Sequence, residues 1–142
     1  MKKLSILIFS LLLGSGVFGQ NFAVIDDTYQ NVDQAKSRYY NQQTYMVKDN
    51  KVMPANQIAT ALEGKVVSNL HLFVSTEPGA IVFSNMTINS DNLKENALAL
   101  LQMASFVSDN IIIHSQNVFI GDLGMEFKTK LEQLTGLNFI VQ

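Results

Sequence analysis

The chain has 142 residues, a formal net charge of −2 and no cysteine. That length supports one domain with a sizeable core, and its charges form no basic cluster of the kind nucleic acid requires. Without cysteine there is no disulfide framework and no thiol nucleophile.

Lys2 and Lys3 precede the apolar run Leu4 to Leu13, and Val17-Phe18-Gly19 follows it. This is the pattern of a secretory signal peptide over residues 1–19. The run falls short of the roughly 20 apolar residues of a membrane helix, so no membrane span is expected. The mature part is read as a single domain over residues 20–142, exported to the periplasm or the extracellular space. No cysteine stands at the junction to carry a lipid anchor. Loss of the leader leaves eight basic against twelve acidic side chains, a net charge of −4. No run of like charge marks a membrane-surface patch, and no cofactor is implied.

In chain order, Phe22 to Asp26 is a short apolar run closed by two aspartates and predicts a buried strand. Val32, Ala35 and Tyr39 recur at helical spacing, and Thr44 to Lys48 predicts the second strand. Pro54 opens a helix with Ala55, Ile58, Ala59 and Leu62 on one stripe, and Gly64 stops it. Asn69 to Val74 is the third strand, and Ser75 to Gly79 is a turn by composition. Ala80 to Ser84 and Met86 to Ile88 predict a small hairpin around Asn85. Ser90 or Asp91 is expected to cap a helix running to Val107, with Leu93, Ala97, Leu100, Leu101 and Ala104 inward. Asn110 to Ile113 is the fourth strand. From Gly121 a helix carries Leu123, Phe127, Leu131 and Leu134 inward and ends at Gly136, before a last strand over Leu137 to Val141. Strands alternating with helices predict an α/β three-layer sandwich around a mostly parallel sheet.

Ligands and catalytic groups in such a fold sit at the carboxyl ends of the strands. Asp26 and Asp27 there resemble the acidic pair of phosphoacceptor receiver domains. Those domains also need an aspartate after strand three and a lysine after strand five, where this chain has Val74-Ser75 and Val141-Gln142. Capping of the next helix by Asp27 and Thr28 is the better reading. His71 and His114 are the two histidines, and no third ligand at metal spacing accompanies them. A serine hydrolase built on Ser75, His114, Ser115 and Asn117 is a sharper alternative. It lacks a Gly-x-Ser-x-Gly elbow, and adjacent strand residues such as His114 and Ser115 point to opposite faces.

The stretches Leu70 to Ile81 and Ile111 to Gly124, with Thr87 to Leu93 and Leu131 to Gly136, resemble a family of domains of unknown function. These domains lie near the N-terminus of large bacterial surface, adhesin-like proteins, and their fold is grouped with the caspase and gingipain cysteine peptidases. The resemblance implies strand order 2-1-3-4-5, with a catalytic His after strand three and a Cys after strand four. The histidine position is Ser75, with Thr76 at its following glycine; the cysteine position is Gln116, with Ser115 at the glycine before it.

A glutamine amide is neither nucleophile nor base, so the implied mechanism is closed. The expectation is an exported, catalytically inactive caspase-like domain acting as a binding or structural module. A hydrolase with a re-invented site and a structural remnant of a longer surface protein are the alternatives. The candidate cleft comprises Asp26, Asp27, Ser75, Thr76, Glu77, His114, Ser115, Gln116 and Asn117, open to a protein or peptide partner. If the last strand lies at a sheet edge, its free backbone groups invite self-association.

Overall fold

Phe22 to Ile25 alternate between two buried faces, as an apolar strand inside a parallel sheet must. The computed structural model describes residues 20–40 and 43–142; the leader read over 1–19 lies outside them. The main sheet consists of β1 (Asn21–Ile25), β2 (Gln43–Met46), β3 (Val67–Phe73), β7 (Val107–Ile113) and β8 (Asn138–Val141). All neighbouring pairs are parallel, in the expected order β2-β1-β3-β7-β8. The last strand is therefore an edge strand, although Phe139 on it is buried.

Three helices cover one face: α2 (Pro54–Leu62), α3 (Leu93–Ala104) and α4 (Gly121–Thr135). Their Ile58, Leu62, Leu100, Met103, Phe127 and Leu131 pack with Val24, Leu70, Leu72, Ile111, Ile113 and Phe139 of the sheet. Burying a side chain such as Phe127 contributes about 1.5–3 kcal/mol. The opposite face carries a smaller cluster, in which Ala35 and Tyr39 of α1 (Val32–Arg38) and its C-cap meet Ala23, Ile25 and Phe73. On that face Asn21, Asn69, Asn110 and Asn138 stand in register on four adjacent strands, and Asn110 Nδ2 donates to Asn69 Oδ1 at 3.0 Å.

A second sheet of β4 (Ser75–Glu77), β5 (Ala80–Val82) and β6 (Thr87–Asn89) is antiparallel throughout. The stretch expected to be wholly turn thus begins as a strand, and only Pro78-Gly79 forms the reversal. Glu77 pairs with Ala80 across it, and Gly79 sits at φ 79°. Proline followed by a positive-φ glycine is the chemistry of a type II turn. A Cβ at Gly79 would come within 2.9 Å of the Leu123 carbonyl oxygen, so the turn lies against the first turn of α4.

Three other expectations are corrected. The cap residue of α1 is Asn31, not Asp27 or Thr28, and that of α3 is Asn92, not Ser90 or Asp91. The Asn92 oxygen accepts from the Asn89 N–H instead of capping the helix, so the polar run here folds as a local turn. The helix α3 ends at Ala104, because Val107 already belongs to β7. Leu101 and Leu123, expected inward, are 44% and 66% exposed, since the buried stripes run through Asn96, Leu100 and Met103 on α3 and through Gly124, Phe127 and Leu131 on α4.

Gly136 closes α4 at φ 73°, a conformation that disfavours any residue with a Cβ. Gly136→Ala is expected to lower stability by about 1 kcal/mol. Urea unfolding reads this as a lower midpoint at unchanged slope; an unmoved midpoint would show that the cap relaxes.

Candidate functional site

At the carboxyl edge of the main sheet the chain leaves a cleft of about 450 Å³, within the usual range of about 300–1,000 Å³ for small-ligand sites. Three segments and one residue build it: Thr28 to Asn31 after β1, Val74 to Thr76 after β3, His114 to Asn117 after β7, and Gln142 after β8. Each lies just past the carboxyl end of a parallel strand, which is why they converge.

Ser75 and Gln116 both line this cleft. No hydrogen bond joins them; the contact runs instead between their neighbours. Thr76 Oγ1 and Ser115 Oγ are in direct hydrogen-bond contact. Thr76 Oγ1 also donates to Asn117 Oδ1 at 2.6 Å, and Ser115 Oγ lies 3.0 Å from the same oxygen. The Asn117 N–H donates back to Ser115 Oγ at 3.2 Å. The bulkier residues at the two positions aligned with glycines, Thr76 and Ser115, are thus the ones that bridge β4 and the loop after β7.

Three of the nine candidate residues lie outside the cleft lining. Asp26 is fully buried, where its carboxylate accepts from Thr28 N (3.0 Å), Thr28 Oγ1 (2.7 Å), Ser84 N (3.1 Å) and Ser84 Oγ (3.1 Å). It ties the end of β1 to the segment after β5. Thr28 extends this tie, since its Oγ1 also lies 2.9 Å from the Val82 carbonyl and accepts from Ser75 N at 3.1 Å. Asp27 is exposed in the turn after β1, and Glu77 is exposed beside the β4–β5 reversal. Conversely, Thr28, Tyr29, Gln30, Asn31 and Gln142 line the cleft but were not among the site residues expected from sequence; their position just past a strand end was the available signal.

His114 borders the cleft, but its ring turns away from Ser115. His114 Nε2 lies 3.0 Å from His71 Nδ1, and His71 Nε2 lies 3.0 Å from Asn21 Oδ1. The Asn21 oxygen only accepts, so His71 carries its proton on Nε2 and receives one from His114 Nε2. The Tyr39 hydroxyl approaches the same His71 Nδ1 at 3.3 Å. The His114 ring stacks on Phe73 at 3.9 Å between centroids. Burial chiefly, then His71 and Arg38, push the His114 pKa down to about 4. Burial and then Arg38 lower that of His71. Both rings are neutral at pH 7.

A family model, the domain of unknown function DUF4347, matches residues 22–141. The chain belongs to DUF4347. No curated protein and no solved structure matches it. The DUF4347 match takes in every strand and helix described above save the first residue of β1, both segments that line the cleft after β3 and β7 included.

Proposed function

We propose that this DUF4347 chain is an exported, non-catalytic binding module, caspase-like in descent, whose cleft at the carboxyl edge takes a partner at the cell envelope or outside the cell. One observation carries the reading: the positions aligned with a His–Cys dyad, Ser75 and Gln116, line one cleft, while the hydroxyl and imidazole groups around them are committed elsewhere. The Ser115 hydroxyl is held by Thr76 and Asn117, and His114 Nε2 is held by His71. A nucleophilic serine needs a base within about 2.6–3.2 Å, and neither ring nitrogen of His71 or His114 is hydrogen-bonded to a serine.

The test is retention of partners from the native envelope and culture fluid by the wild-type chain and by Gln116→Trp, which fills the cleft from an exposed position. A species retained by the wild type and lost by Gln116→Trp is the expected outcome. Equal retention would move the binding surface elsewhere. Peptide or ester turnover that Ser115→Ala abolishes would replace the proposal with a hydrolase.

A further inference from the structure

The cleft described above has a chemical character that narrows what it can hold, and the inference rests on its being a binding site. Among the described residues, no Asp, Glu, Lys or Arg lines it. His114, its one titratable nitrogen base, is neutral at pH 7. What remains is carboxamides, hydroxyls, the apolar Val74 and the ring of Tyr29. We propose that the cleft takes a neutral, hydroxyl-rich ligand, an oligosaccharide, with Asn117 as its fixed donor and Tyr29 as its stacking surface.

The donor is fixed by the hydroxyl cluster. Asn117 Oδ1 is held by Thr76 Oγ1 and Ser115 Oγ, so its Nδ2 is directed away from them. No described residue accepts from that Nδ2, which leaves two N–H donors at a set angle on an exposed residue. The two hydroxyl protons are used within the cluster, while the Thr76 and Ser115 oxygens retain lone pairs. A rigid donor beside acceptor oxygens matches vicinal sugar hydroxyls, each of which donates and accepts. Tyr29 lines the same cleft with its ring braced edge-on against Phe73 at 5.3 Å and 77°. A braced aromatic ring accepts the C–H face of a pyranose with little loss of side-chain freedom.

Other ligand classes fit less well. An anionic ligand would require the charge-assisted donors of Arg or Lys. An extended peptide recognised through its main chain would require a free strand edge. The main sheet meets the cleft with strand ends, and the Ser75 N–H at the start of β4 is already taken by Thr28 Oγ1.

The experiment is saturation-transfer NMR followed by titration of the full chain. The probes are trimers of neutral hexose, pentose and N-acetylhexosamine units, with galacturonate and sulfated oligomers and a neutral Ala/Ser/Gly peptide as comparators. Binding of at least one neutral trimer is expected, weakened about tenfold by Asn117→Ala and also by Tyr29→Ala. Asn138→Ala, at the exposed end of the asparagine row and away from the carboxyl edge of the sheet, should leave it unchanged. Because Asn117 is exposed, its variant is expected to keep the wild-type circular dichroism. Preference for the peptide or a charged oligomer, lost in Gln116→Trp, overturns the saccharide assignment and leaves the cleft as a binding site. Absence of binding by every neutral trimer likewise overturns the saccharide assignment. If in addition Gln116→Trp retains the same partners as the wild type, the binding reading of the cleft falls with it.

Discussion

Asp26→Ala is expected to destabilise the chain by about 2–6 kcal/mol, the sum for two N–H donors left without their acceptor at about 1–3 kcal/mol each. The carboxylate is fully buried and accepts from two backbone N–H groups and two hydroxyls. The Thr28 and Ser84 hydroxyls can rotate to other acceptors once it is gone, and the Val82 carbonyl already lies 2.9 Å from Thr28 Oγ1. Their N–H groups cannot rotate, and each buried donor left without an acceptor costs about 1–3 kcal/mol. The local effect should exceed the global one at the antiparallel sheet, because Ser84 lies between β5 and β6. Hydrogen exchange should therefore accelerate most at Ala80 to Asn89. Asp26→Asn should lose less, since one amide oxygen still accepts while its NH₂ faces donors on the other side. A loss below about 1 kcal/mol in urea for Asp26→Ala would show that the β1–hairpin tie is dispensable.

The parallel sheet was legible because its central strands are near-continuous apolar runs, Leu70 to Val74 interrupted only by His71, and Ile111 to Ile113, of the kind that burial on both faces explains. The helix ends were legible where glycine or proline marks them, at Pro54 and Gly136. Misreadings arose where two apolar stripes compete on one helix: Leu123, Phe127 and Leu131 have the same spacing whether Leu123 or Gly124 faces inward. The close approach of Gly124 to the backbone of Phe119, 2.3 Å for an added Cβ, settles that choice, and only the folded loop reveals it. Asp26 looked like a site residue because its partner Ser84 lies 58 residues away. The convergence of Ser75 and Gln116 on one cleft was readable from strand order, but the shift of the contact to Thr76 and Ser115 was not. It depends on Ser75 to Glu77 turning into a second sheet rather than into a loop.

The pair of buried histidines predicts an acid-sensitive fold. His71 and His114 are 7% and 8% exposed and share a 3.0 Å N–H···N bond in which His71 Nδ1 accepts and so must stay unprotonated. The groups facing them are the Arg38 guanidinium and Tyr39 from α1 and its C-cap, Asn21 from β1 and Phe73 from β3. The only charge among these is positive, so nothing compensates a protonated ring. In the unfolded chain both titrate near the ordinary value of about 6.5, whereas folded His114 does so at about 4 and folded His71 below its usual range. Below about pH 6.5 the unfolded chain therefore binds more protons than the folded one. Stability must fall with pH through that window and level off for His114 once pH passes about 4. At one pKa unit per about 1.4 kcal/mol, the His114 shift, to which His71 contributes, removes about 2 kcal/mol over the full window after allowance for solvent screening. Urea midpoints measured from pH 7 to 5 isolate this effect, since ordinary carboxylates titrate mostly below that range. In His114→Phe, where an aromatic ring can still stack on Phe73, the decline between pH 7 and 5 should be clearly shallower than in the wild type. A wild-type midpoint that stays constant from pH 7 to 5, or an undiminished slope in His114→Phe, would show that the pair does not govern the acid response.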